Sequence, residues 1–94
     1  MVEKSQPVWK EIFTSWPEKL PKRGVVISTL NEMTPFKGYM IKGETLLLER
    51  TNSDPAGARY VLMGFDAIHM LKLIDPLRED VFTAAGFIGQ FAKM

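Results

Sequence analysis

His69 is the only histidine of this 94-residue chain, and so the first side chain to test for chemistry. A catalytic or metal-binding imidazole needs partners. No cysteine, second histidine or carboxylate cluster stands at ligand spacing to it. Asp66 lies three residues before it, which on a strand is the opposite face. His69 therefore reads as a structural or surface histidine. Asp75, Glu79 and Asp80, with Arg78, are the next candidates, as a metal or acid–base cluster. They surround Pro76, and acids are favoured at a helix start by the N-terminal dipole, so a solvated turn and helix start is the simpler reading. Lys19, Lys22 and Arg23 form a short basic cluster beside Trp16. Cations near an aromatic ring can contact nucleic acid, although a helix end running into a loop also exposes lysines. Lys19, Lys22, Arg23 and Lys42 are the candidate RNA-binding residues. Trp9 and Trp16, at helical spacing, read as core or interface anchors rather than base-stacking platforms. Gly43, Gly57 and Gly64 are isolated and make no phosphate-cradling loop, and no Gly-x-Ser-x-Gly elbow is present. No catalytic residue, metal site or cofactor is predicted, and the chain reads as a non-enzyme.

The length suits a single domain over residues 1–94, with one modest hydrophobic core. With no cysteine, disulfides, thiolate metal sites and a cysteine nucleophile are excluded. Twelve Lys+Arg face eleven Asp+Glu, a net charge of +1. A non-specific nucleic-acid binder would carry a larger basic excess, but a local basic patch is compatible with this balance. No apolar run approaches the ~18 residues of a membrane span. Residues 1–7 lack the charged start and apolar run of a secretory signal. The expectation is a cytoplasmic protein with no membrane association.

The elements that must position these residues are mostly strands. Residues 7–20 read as an N-terminal helix, with Ser5 as N-cap, Pro7 in the first turn and Pro17 as the stop. Trp9, Phe13 and Trp16 lie along its apolar face. Residues 22–75 carry five short strands: 24–30, 36–41, 45–51, and two within 58–76. Pro35 is expected to bar ladder pairing before the second strand. Lys42-Gly43-Glu44 reads as a three-residue hairpin connection, with Gly43 free to take a positive φ. Residues 52–57 are a dense turn cluster, read as a flexible loop. The last two strands abut at residues 64–66, whereas a hairpin usually needs about two to five connecting residues. Such a junction suggests one sharply bent strand, as in a small barrel. Residues 76–94 form a tail, with a short helix over 77–85 turning Leu77, Val81, Phe82 and Ala85 inward, followed by a glycine-broken apolar segment.

Helix, then five strands ending in an abutting pair, is the order of the Sm-like small barrel. Gly38-Tyr39-Met40-Ile41-Lys42-Gly43-Glu44-Thr45-Leu46-Leu47-Leu48-Glu49-Arg50 resembles the Gly-centred second strand, turn and aliphatic third strand of that family's bacterial, Hfq-like branch. Tyr60-Val61-Leu62-Met63-Gly64-Phe65-Asp66-Ala67-Ile68 resembles its closing strand–turn–strand. The resemblance spans about residues 8–75. It implies an all-β fold, a five-stranded Sm-like or SH3-like small barrel with an N-terminal α-helix and a C-terminal tail. It also implies a cyclic homo-oligomer in which strand four of one copy pairs with strand five of the next. The family's RNA-reading positions are changed. Lys42-Gly43-Glu44 has neither the Asp nor the Asn used between strands two and three. Phe65-Asp66 stands where the family has Arg-Gly or Lys-His, and Asp66 would repel phosphate.

The residues of the closing pair favour association independently of the resemblance. Tyr60, Val61, Leu62, Met63, Phe65, Met70, Leu71 and Leu73 place large side chains on both alternating faces. A strand apolar on both faces is buried on both, and one small core absorbs only one of them. These eight are the predicted subunit interface, in an assembly closed by heterologous edge pairing. Two functions follow as expectations. One is an Sm-like oligomeric module that binds RNA through a non-standard surface. The other is a structural or protein-interaction adaptor with no nucleic-acid role.

Overall fold

Pro17 decides where the first helix ends. A computed structural model of the chain describes residues 8–92. In it the helix is α1 (Val8–Thr14), shorter than the predicted 7–20; Ser5 and Pro7 lie outside the described residues. The last helical bond runs from Ser15 N–H to the Glu11 carbonyl, 2.8 Å. The Phe13 carbonyl would accept from residue 17, but proline has no N–H. The Tyr39 hydroxyl donates to it instead, at 2.7 Å. One proline thus ends the helix and frees the acceptor that fastens it to the sheet. The chain then turns through residues 15–23, where Trp16 Nε1 donates to the Leu20 carbonyl at 2.8 Å.

The sheet contains β1 (Gly24–Ser28), β2 (Met33–Lys42), β3 (Thr45–Arg50), β4 (Tyr60–Gly64) and β5 (Ile68–Lys72), all antiparallel. Its order is β4-β3-β2-β1-β5. The fold is mostly β, as expected, but the sheet is not closed into a barrel. The abutting strands do not pair with each other, because β4 takes its ladder from β3 and β5 from β1. Between them, Phe65–Ala67 form one 3₁₀ turn rather than a bent strand. Its Phe65 N–H donates to the Glu44 carbonyl at 3.1 Å, which ties this turn to the β2–β3 hairpin.

Pro35 departs from expectation. It lies inside β2, opposite Val25 of β1. Its carbonyl accepts Thr51 N–H at 3.1 Å, on the β3 side. A strand residue's N–H and C=O point the same way in an antiparallel ladder. The missing donor therefore faces the space beyond the last residue of β3, and no bond to β1 is lost. The β2–β3 connection is also tighter than predicted: Lys42 pairs with Thr45, leaving Gly43-Glu44 as a two-residue turn with Gly43 at φ 59°.

The core is formed by Phe13, Val26, Phe36, Leu46, Leu48, Phe65 and Ile68. Leu46 and Leu48 share one face of β3 by the two-residue strand period, and both are fully buried. Phe13 joins α1 to this core through four rings, with Tyr39 edge-on at 4.9 Å. Burying a side chain of this size contributes roughly 1.5–3 kcal/mol.

The predicted flexible loop at 52–57 is a bonded turn. One oxygen of Asp54 accepts the N–H groups of Ala56 and Ala58 at 2.9 and 2.8 Å. In the tail, α2 (Glu79–Ala84) closes with two bonds, Phe87 N–H to the Phe82 carbonyl and Gly86 N–H to the Thr83 carbonyl. This is a Schellman cap, which needs a left-handed residue at its turn, and Gly86 supplies it at φ 106°. The accompanying apolar contact is the Phe82–Phe87 ring pair at 6.4 Å. Val81 and Phe82 are half-buried, whereas Ala85, predicted inward, is exposed.

Candidate functional site

The predicted basic residues are not one free patch. Arg23 Nε donates to Asp75 Oδ2 at 3.0 Å, and its other guanidinium bonds go to Asp75 Oδ1. Hydrogen bonding from Arg23 holds the Asp75 carboxyl below its ordinary range, and Asp75 in turn raises Arg23. The Lys22 ammonium stands 5.3 Å from the centre of the Tyr39 ring. Burial pushes that tyrosine's phenol up to about 12. Lys19 is exposed on the loop after α1, and Lys42 is exposed at the end of β2. Among the described residues no hydrogen bond or ion pair joins Lys42 to the other three. Its turn neighbour Glu44 pairs with Lys10 of α1 at 2.6 Å.

The other polar candidates also separate. Asp75 is taken by Arg23, while Arg78 pairs with Asp80 at 3.3 Å. His69 is exposed on β5. Among the described residues, no group of three or more His, Asp or Glu is placed to hold a metal ion. The Asp66 carboxylate curls over Gly64, where a Cβ would stand only 2.7 Å from its oxygen.

The predicted interface residues divide between the core and the surface. Phe65 is 4% exposed and packs in its own chain's core, with its ring 6.1 Å from that of Phe13. Val61, Met63 and Leu71 are half-buried against the same core. Leu73 is half-buried beyond β5. Tyr60, Leu62 and Met70 are exposed, Leu62 to 69%. Met40, Leu47 and Leu62 are in register across β2, β3 and β4, and they form an apolar row on the outer face. Met40 is 70% exposed in that row.

Among the described residues, both ends of the sheet are unpaired. The free edge of β4 is Tyr60-Val61-Leu62-Met63-Gly64, with no charge, proline or bulge in it. Edge strands are normally guarded by such features. β5, at the opposite edge, has the same five-residue length and ends in Lys72. At β1, Gly24 allows the close approach of β5: a Cβ there would fall on the Lys72 carbonyl oxygen.

Two of the surface concavities lie against these elements. An apolar groove of about 510 Å³ lies between α1 and the tail, lined among others by Trp9, Ile12, Leu71 and Phe82. A polar cleft of about 240 Å³ opens at the β3–β4 loop, lined by Lys37, Glu49, Arg50, Arg59 and Tyr60 with loop residues 51–53. None of its cations was among the predicted binding residues. The signal available in the sequence was the placement of Arg50 and Arg59 on either side of one turn cluster, which a hairpin brings together. No described helix is long and apolar enough to cross a membrane. No family model, curated protein or solved structure matches this chain.

Proposed function

We propose that this chain is a non-catalytic, self-assembling sheet module of the Sm-like kind. Copies join β4 of one to β5 of the next, and the assembly binds RNA away from the turn that Sm-like proteins use. The observation behind this is the unguarded edge of β4, matched in length by an open β5 at the other end of one sheet. Unpaired N–H and C=O groups on such an edge are satisfied by another strand or by water. Pairing with another strand also covers apolar side chains. Because the two edges differ, the contact is heterologous, and it closes as a ring or extends as a filament. Asp66, curled over Gly64 in the β4–β5 turn, argues for a different RNA surface from the family's.

Light scattering tests the assembly. The wild-type chain at micromolar concentration should exceed its monomer mass of 10.7 kDa several-fold. Leu62→Lys, an exposed-face change, should return it to the monomer by guarding the edge. A wild-type mass of 10.7 kDa rejects the assembly.

A second role, as a protein-interaction adaptor, is favoured by the apolar groove between α1 and the tail. The exposed Phe87, Ile88 and Phe91 beside it point the same way. An assembled protein that binds no RNA at low salt would leave this as the surviving function.

A further inference from the structure

The polar cleft at the β3–β4 loop gathers three cations that no carboxylate of the described residues pairs with. Lys37 comes from β2, Arg50 from the end of β3, and Arg59 from the residue before β4. Arg50 N–H donates to the Arg59 carbonyl at 2.8 Å, so the two arginines are cross-strand neighbours. Like charges placed opposite each other across a strand pair are destabilising. Among the described residues these three cations form no ion pair, whereas Lys10, Arg23 and Arg78 each have a carboxylate partner. Arg50 Nε is tethered to the Asn52 carbonyl at 2.8 Å, and among the described residues no acceptor is bonded to its other nitrogens. The cleft's carboxylate, Glu49, lies over Gly38, where a Cβ would stand 3.1 Å from its Oε1. Asp54, in the adjoining loop, is held by the N–H groups of Ala56 and Ala58. Tyr60 lines the same cleft and is 61% exposed.

We propose that this cleft binds the phosphodiester backbone of a single-stranded nucleic acid, with one base stacked on Tyr60. Unpaired cations neutralise phosphate, and an exposed ring accepts the face of any base. Pockets that engulf small molecules run to roughly 300–1,000 Å³ and are mostly apolar. At about 240 Å³ this cleft is smaller, and its walls are polar and charged. It suits a strand passing across it better than an enclosed ligand. Edge pairing uses backbone groups in the plane of the sheet, while side chains stand perpendicular to it, so an added strand on β4 leaves the face of Tyr60 open. This assignment deepens the RNA-binding role proposed above and rests on it; it does not depend on the assembly.

Fluorescence anisotropy with short labelled oligo-U and oligo-dT across a salt series tests the site. Three phosphate contacts predict a slope of log K against log salt of about −2 for a single strand. Lys37→Gln and Arg59→Gln, both at exposed positions, should each flatten that slope by about 0.7. Tyr60→Leu should weaken binding at least about fivefold, and Tyr60→Phe should restore it. Circular dichroism and light scattering on each variant report folding and assembly separately. Failure of the wild-type chain to bind either oligonucleotide at low salt overturns the RNA role and the cleft together. Binding that persists through all three cleft variants, yet disappears in the Lys19→Gln, Lys22→Gln, Lys42→Gln triple variant, overturns the cleft alone.

Discussion

Replacing Phe13 with alanine should release α1 from the sheet. Phe13 is 1% exposed and is the only fully buried residue of that helix. Its ring lies 5.4 Å from Trp16, 6.2 Å from Phe36, 4.9 Å from Tyr39 and 6.1 Å from Phe65. Truncating a core phenylalanine costs about 3–5 kcal/mol through lost transfer and the cavity left behind. A helix of seven residues has no stability of its own in water. α1 keeps its half-buried Trp9, the Tyr39 bond to the residue-13 carbonyl and the Lys10–Glu44 pair, so the loss should lie within that range rather than above it. Against a typical domain stability of about 5–15 kcal/mol, this is a large fraction. Trp9 and Trp16 flank Phe13 and are the only tryptophans, so their emission reports on α1 docking. Guanidinium unfolding followed by tryptophan fluorescence and by far-ultraviolet circular dichroism would separate helix from sheet. Phe13→Ala should red-shift the emission before denaturant is added and lower the midpoint. Phe13→Leu should fall between it and wild type. A loss below about 1 kcal/mol, with unshifted emission, would refute the anchoring argument, because cavity formation alone should exceed it.

Two ionisable contacts make further predictions. Tyr39→Phe removes the hydroxyl bond to the Phe13 carbonyl and should cost about 1 kcal/mol at neutral pH. Burial raises the Tyr39 phenol from 10.0 to about 12, so its stabilisation is intact below the lower value and is lost as pH rises towards the upper one. Alkaline melting curves of wild type should fall across that window, and those of Tyr39→Phe should lack this component; identical curves would refute it. Asp75 is lowered from 3.8, chiefly by its hydrogen bond from Arg23. Its contribution is present above that value and lost as pH falls through the folded one. Asp75→Asn should lower the melting temperature at neutral pH and converge with wild type in acid. A constant gap down to the most acid pH would show that the pair is not the cause.

Much of the strand content was legible from local chemistry. β-branched and aliphatic runs marked all five strands to within a few residues, and Gly43 marked a tight turn that takes a positive φ. The same local rules misread Pro35. Whether a missing N–H costs a ladder bond depends on which neighbour stands on that side, and β3 ends at Arg50 before reaching it. They also placed Phe65 at an interface. Alternation assigns a side chain to a face, but Phe65 begins a 3₁₀ turn, where the two-residue period no longer applies and the ring enters the core.

By itself, then, the sequence determined what depends on neighbours along the chain: the proline that stops α1, the strands, the tight turn at Gly43 and the absence of any thiol chemistry. Only the tertiary structure decided which strands pair, because that depends on contacts between residues far apart in the chain. It set β4 and β5 at opposite edges although three residues separate them. It gave the Phe13 carbonyl a partner 26 residues away. It also spent Lys22 and Arg23 on Tyr39 and Asp75, and brought Lys37, Arg50 and Arg59 to one cleft instead. Those cations are distant in sequence, and hydrogen-bond register is the physical cause of their convergence.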